Sequence, residues 1–228
     1  MLTAIIVAAG SSKRAGFDKL LAKIAGRPVI QHTLAAFEKA ICVNDVLVVS
    51  RETVAMRHFI VKTNLRKIRR VVRGGVRRQD SVQAGLNALD NKVEFVAVHD
   101  AARPLITPRE IERVFAAARK HGAAALAVPI TDTLKLADAN YVVSGSIDRQ
   151  NVFAMQTPQI FRCELLSQAY EQVKRASLTV TDEVSAIEYA GGKVVIVPAE
   201  DFNLKITYAS DLALAEAILK QRAAAARG

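Results

Sequence analysis

Strand-length apolar runs alternate with helix-period segments from the first residue of this 228-residue chain. Leu2–Ala8 reads as a buried strand, and Pro28 opens a helical pattern that runs through Lys39. Asp45–Ser50 is a second strand, Val54–Lys62 a helix, and Ile68–Arg73 a third strand entering Gly74-Gly75. Gln79–Leu89 is helical, and Glu94–Val98 is a fourth strand ending at His99-Asp100. Thr107-Pro108-Arg109-Glu110 has the spacing of a capping box with proline at the first helical position, which starts a helix running to His121-Gly122. Ala123–Pro129 and Lys193–Val197 read as further strands, and Glu164–Arg175, Glu183–Ala190 and Asp211–Arg222 as helices. This alternation predicts an α/β fold with a mostly parallel sheet in three layers.

The rhythm breaks between Thr133 and Pro158. Polar turn residues there separate two short β-like pieces, Leu134–Leu136 and Tyr141–Val143. The pattern predicts a hairpin that leaves the main sheet. With no linker or internal repeat in view, residues 1–228 read as one domain with a protruding arm at about 133–151.

A hydrophobic content of 51% against 24% charged excludes wholesale disorder. No run approaches the roughly 18 apolar residues of a membrane span. The apolar start lacks the basic leader of a signal peptide. Two cysteines, Cys42 and Cys163, supply neither a disulfide framework nor a zinc site, so a reducing cytoplasm is expected. The net charge of +10 is concentrated. Residues 51–78 hold ten bases and one acid. Such a stretch fits nucleic acid, an anionic small substrate, or simply a solvated face.

In an open parallel sheet, ligands bind beyond the carboxyl ends of the strands. Three strand ends here carry unusual residues. The first is Ala8-Ala9-Gly10-Ser11-Ser12-Lys13-Arg14-Ala15-Gly16 with Lys19 beyond it. Its glycines let backbone amides approach a phosphate and its bases supply charge. It is neither a Walker A loop nor a dinucleotide fingerprint. The second is Gly74-Gly75, with Arg77, Arg78 and Ser81 at a helix start; this is an anion or base-edge site, or a plain turn. The third is His99-Asp100-Ala101-Ala102-Arg103-Pro104, which places a carboxylate and a guanidinium in one crevice. A carboxylate facing a triphosphate calls for a divalent cation between them; a buried ion pair is the plainer alternative.

Seven segments in order, AAGSSKR with Lys19, GGVRRQDS, HDAARP, DTLK, Asp148-Arg149 with QTPQ, TDEVSAIEY and NLKIT, carry a resemblance. Together they resemble the 2-C-methyl-D-erythritol 4-phosphate cytidylyltransferase family, from Ile5 to Ile218. The resemblance implies a Rossmann-like nucleotidyltransferase fold, homodimeric through exchange of the hairpin arm. It implies an enzyme that joins CTP to methylerythritol phosphate and releases pyrophosphate, with Mg²⁺ as the metal, in the non-mevalonate route to isoprenoids. Carried over by position, Arg14 and Lys19 hold the triphosphate and stabilise the transition state. Ala8, Ala9, Gly10, Gly75 and Ser81 frame the cytosine and ribose, and Arg78 lies near the nucleotide. Asp100 and Arg103 lie between nucleotide and sugar phosphate, with Asp100 as the candidate metal contact. Thr157, Thr181 and Lys205 bind methylerythritol phosphate, while Thr133 and Arg149 reach in from the partner's arm.

The chemistry agrees with that assignment. The nucleophile is a phosphate already anionic at neutral pH, so no general base is needed. The requirement is to neutralise two mutually repelling anions and the charge growing on the α-phosphate. The chain departs from the family at Ala15, at the short segment from Gly16 to Lys19, and at Val76, where some relatives place an acid. A ribitol 5-phosphate cytidylyltransferase shares most of the motifs, but Glu183 and the double alanine of HDAARP favour methylerythritol phosphate. Molybdenum-cofactor transferases share the first loop alone. A nucleic-acid-binding protein is disfavoured by the absence of Trp and the few aromatics available for base stacking. Some relatives are fused to the cyclodiphosphate synthase acting two steps later; because this chain stops after its last helix, that activity is expected to be absent.

Overall fold

The computed structural model describes residues 1–10 and 17–225. In chain order, the described residues form β1 (Leu2–Ala8), the two-residue pieces β2 (Lys23–Ile24) and β3 (Arg27–Pro28), α1 (Val29–Lys39), β4 (Val43–Ser50) and α2 (Thr53–Val61). They continue with β5 (Ile68–Arg73), α3 (Arg78–Leu86), β6 (Phe95–Asp100), α4 (Pro108–His121) and β7 (Ala123–Pro129). The arm strands β8 (Leu134–Ala137) and β9 (Val143–Ile147) lead to β10 (Phe153–Arg162), α5 (Cys163–Arg175), α6 (Glu183–Tyr189), β11 (Val195–Pro198) and α7 (Ser210–Ala225).

Seven strands make one sheet in the order β11-β7-β10-β6-β1-β4-β5. β5, β4, β1 and β6 run parallel, as do β7 and β11, while β10 is antiparallel to both its neighbours. Central strands read as unbroken apolar runs because both faces are covered. Along β1 the pleat sends Ala4 and Ile6 to one core and Ile5 to the other. On the first face, Phe37 of α1, Met56 of α2, Ile111 of α4 and Ile218 of α7 pack against the sheet. On the second, Val82 of α3, Leu166 of α5 and Ile187 of α6 do so. The expected three-layer α/β fold is present.

Helix α4 starts as its sequence dictates: the Thr107 side chain accepts from the Glu110 amide at 3.2 Å, with Pro108 at the first position. It ends at Gly122, whose φ of 86° is left-handed and suits glycine. The Glu110 carboxylate instead accepts from the Glu200 amide at 2.7 Å, tying α4 to the segment after β11.

Two features differ from the sequence expectation. β10 is a full strand of the main sheet over Phe153–Arg162, where the sequence pattern assigns no strand. Its polar middle, with a proline, hides the alternation of a strand. Pro158 cannot donate to a ladder, and the pairing with β7 shifts register between Met155 and Gln159. The second arm strand begins at Val143, with Tyr141 in the turn at φ 63°. β8 and β9 pair antiparallel, Leu134 opposite Ile147, and leave Leu136, Tyr141, Val142, Val143 and Ile147 exposed.

Candidate active site at the strand ends

Parallel registry brings the three unusual strand ends into one row. Val7 pairs with Asp100, Ala8 with Ser50, and Ser50 with Arg73. Gly74 continues that row, donating its amide to the Ser50 carbonyl at 3.0 Å. A Cβ on Gly74 would fall 2.4 Å from the Ala9 Cβ and 2.8 Å from Ser81 Oγ, so only glycine lets the first loop and the start of α3 meet. Ser81 Oγ accepts from the Gly75 amide at 3.2 Å. Ala8, Ala9, Gly75 and Ser81 are therefore held together, with Gly10 beside them and Val76 exposed. Arg14 lies outside the described residues. Lys19 follows the first loop, in the turn before α1.

Asp100 is the centre of the polar chemistry. Its Oδ1 accepts from Arg78 Nε at 3.1 Å, and its Oδ2 lies 2.7 Å from Lys205 Nζ and 3.8 Å from Arg103 Nε. Burial pushes the carboxyl pKa up, but Arg78, Lys205 and Arg103 outweigh it and hold Asp100 well below the usual carboxylate range. The Asp100 amide donates to Thr157 Oγ1 at 3.1 Å. The register break in β10 aims Thr157 at that amide, as bulges commonly re-aim side chains.

Arg103 and Lys205 come from segments about a hundred residues apart, and Asn203 fixes Arg103. Arg103 Nη1 donates to the Asn203 carbonyl at 2.7 Å, and Asn203 Nδ2 donates to the Thr157 carbonyl at 2.8 Å. Among the described residues, Arg103 Nε and Asn203 Oδ1 are buried without a hydrogen-bond partner, the kind of orphan that a polar ligand satisfies.

Arg78 also makes a bidentate pair with Glu183, at 2.8 and 3.0 Å. Burial alone would lower its pKa, but Glu183 and Asp100 outweigh that and lock the guanidinium in its charged form. His99, next in β6, has a different fate. It is fully buried, lies 4.9 Å from the Phe37 ring, and burial drives its pKa down to about 3. It is a neutral packing residue.

Thr181 lies apart from Asp100, in a cleft of about 630 Å³ shared with Asp182, Ser185, Glu188 and Lys193. Gln159 links the two regions: its Nε2 donates to Asp182 Oδ2 at 2.9 Å and its Oε1 accepts from the Glu183 amide at 3.1 Å. Thr133 and Arg149 stand exposed on and beside the arm, and Arg149 donates to the Thr131 carbonyl. A larger cavity of about 700 Å³ lies between the end of β1 and α2, lined by Phe17, Leu20, Met56 and Phe59 among others. Arg78, Asp100, Arg103 and Lys205 do not line it.

No local sequence signal assigns a role to Gln159 or Tyr170, and Glu183 stands out in the sequence only as a mark of substrate class. Much of the basic stretch is explained internally. Arg57 donates to the Val71 carbonyl and Lys67 to the Ala40 carbonyl, while Arg69, Arg70 and Arg77 pair with Asp45, Asp90 and Asp80. Among the described residues no three His, Cys, Asp or Glu side chains gather into a metal site, and no helix is long and apolar enough to cross a membrane.

A sequence profile of the 2-C-methyl-D-erythritol 4-phosphate cytidylyltransferase family matches residues 2–221. The chain is 41% identical over 223 residues to the enzyme of that name from Shouchella clausii, covering 96% of each. It is 38% identical over 226 residues to the one from Alkaliphilus metalliredigens, covering 97% of this chain and 94% of the relative. The crystal structure of 4-diphosphocytidyl-2C-methyl-D-erythritol synthase from Anaerococcus prevotii superposes with a TM-score of 0.85 at 30% identity, over 96% of both chains. The chain is thus a nucleotidyltransferase that belongs to the 2-C-methyl-D-erythritol 4-phosphate cytidylyltransferase family.

Proposed function

We propose that the cations gathered around Asp100 perform the electrostatic work of cytidylyl transfer from CTP to 2-C-methyl-D-erythritol 4-phosphate, a step of non-mevalonate isoprenoid synthesis. The observation that carries this reading is the convergence of Arg78, Arg103 and Lys205 on one buried carboxylate at the strand ends. A phosphate oxygen of the sugar phosphate attacks the α-phosphorus of CTP, and the bond from that phosphorus to the β-phosphate bridge breaks, releasing pyrophosphate. No proton need be taken from the nucleophile. Catalysis is positioning plus charge neutralisation.

In this reading Ala8, Ala9, Gly10, Gly75 and Ser81 frame the nucleoside, and Arg14 and Lys19 bind the triphosphate and the charge developing on it. Lys205, Arg103, Thr157 and Thr181 take the sugar phosphate. Asp100 is the hard carboxylate that would hold a magnesium ion beside substrate phosphates, and since Arg78 and Lys205 already face its two oxygens, the ion would take the place of one of those cations. Bound there, the ion would neutralise phosphate charge.

The arm supports a homodimer. An isolated two-stranded hairpin is only marginally stable in water, yet this one exposes Leu136, Tyr141, Val142, Val143 and Ile147. A second copy would cover those side chains, and a two-fold exchange would bring Thr133 and Arg149 to the partner's sugar phosphate.

The test is pyrophosphate release with four nucleotides crossed against methylerythritol 4-phosphate and ribitol 5-phosphate. The expected result is turnover that needs CTP, methylerythritol phosphate and Mg²⁺ together. Equal turnover with ribitol phosphate, or a preference for GTP, would sink the assignment.

A further inference from the structure

We propose that Glu183, with Tyr170 behind it, is a positioning residue for the transfer reaction that acts on Asp100 through Arg78. The inference rests on the role given to Asp100 above. Glu183 is fully inaccessible, an unusual place for a carboxylate unless it is paired. Both its oxygens are taken by Arg78, and Oε1 accepts a further hydrogen bond from the Tyr170 hydroxyl at 3.0 Å. The Glu183 amide is fixed on Gln159. Arg78 therefore commits Nη1 and Nη2 to Glu183, and only its Nε points at Asp100.

That geometry has a consequence for the reacting groups. A guanidinium is planar, so pinning two of its nitrogens fixes the direction of the third. Nε–H is aimed at Asp100 Oδ1, which leaves Oδ2 turned toward Lys205 and Arg103. The chain of contacts runs from α5 through α6 and α3 to the end of β6, joining elements far apart in sequence. Buried ion pairs are seldom more stabilising than apolar packing, so stability is a poor reason to place two charges and a phenol here. Orientation of Asp100 is a sufficient one.

The test is a set of double-mutant cycles on the full chain, with CTP and methylerythritol phosphate as substrates. Glu183→Gln keeps the shape but loses the charge, and should lower kcat/KM about 10- to 100-fold, the worth of a hydrogen bond to a charged group. Tyr170→Phe keeps the ring and should cost about 3- to 10-fold, the worth of an ordinary hydrogen bond. Asp100→Asn should lower kcat/KM by about 10² or more. Contacts acting through one residue are not additive, so in the Asp100→Asn background both smaller effects should shrink to within about twofold. Circular dichroism and the thermal midpoint check folding of each variant; if Glu183→Gln does not fold, the Tyr170→Phe cycle decides. Full multiplication of the effects, or no effect of a folded variant in the wild-type background, overturns the proposal. Normal turnover by Asp100→Asn would instead overturn the reading of Asp100, and this inference with it.

Discussion

Lys205 Nζ lies 2.7 Å from Asp100 Oδ2, on the carboxylate whose other oxygen already accepts from Arg78. The carboxylate stands in the crevice as an internal anion, holding cations in place before any phosphate arrives. Arg78, Arg103 and Lys205 face Asp100 and Glu183, which leaves one surplus positive charge for anionic substrates. Such preorganisation means that little rearrangement is needed when charge develops in the reaction.

Removing a cation that acts on the transition state should cost far more in rate than in folding. Lys19→Ala and Arg14→Ala should each lower kcat about 10²- to 10³-fold, equivalent to about 2.7–4 kcal/mol. Steady-state kinetics beside a thermal melt checks this. Near-normal kcat with only a raised KM for CTP would assign the residue to ground-state binding alone.

Gly74→Ala should loosen the junction of the first loop with α3. The added methyl meets the Ala9 Cβ and Ser81 Oγ, both well inside contact distance, so something must shift. Overpacking of this kind costs about 1–3 kcal/mol. Urea denaturation should show that loss, and KM for CTP should rise, since Ala9 and Ser81 are both proposed to frame the nucleoside.

His99 supplies a pH dependence whose sign is fixed. Burial lowers its pKa from 6.5 to about 3, so between those values the unfolded chain binds a proton that the folded one refuses. Stability should fall as pH drops through that window, by about 1.4 kcal/mol per unit. Asp100, held below its ordinary value, adds its own loss only at the acid end, as pH falls toward its folded pKa. Denaturation of His99→Gln in metal-free buffer between pH 7 and pH 4 should show a shallower slope than wild type. Identical slopes would mean that His99 is not held neutral.

Periodicity alone placed most helices and parallel strands to within a few residues, because buried parallel strands and amphipathic helices are what local sequence records best. β10 was illegible for a physical reason. Its centre, Met155-Gln156-Thr157-Pro158-Gln159, is set by a register shift and by bonds to Asp100 and Asp182, not by alternation. The candidate site divides in the same way. Asp100 and Arg103 are legible as chemistry and Lys205 only through the resemblance, and the three do meet. Arg78 was expected near the nucleotide, but its bidentate commitment to Glu183 is a long-range fact that no local pattern carries. Tyr170 reads in sequence as one more apolar position of α5, and its hydroxyl shows its purpose only when α6 is packed against it.

The trans role proposed for the arm predicts complementation. Arg149→Ala and Lys205→Ala should each be nearly inactive alone. Mixed under conditions of subunit exchange, they form heterodimers in which one site has both wild-type residues and the other has neither. Activity should return to about a quarter of wild type, since half the chains are in heterodimers with one good site each. No recovery despite proven exchange would put Arg149 in its own subunit's site.

In the proposed reaction a phosphate oxygen of the sugar phosphate attacks the α-phosphorus of CTP. Methylerythritol 4-phosphate carrying ¹⁸O on its non-bridging phosphate oxygens tests it in one ³¹P NMR and mass-spectrometric measurement. The account predicts ¹⁸O in the bridge of the new diphosphate and none in the released pyrophosphate. Label in the pyrophosphate, or an unlabelled bridge, would contradict it.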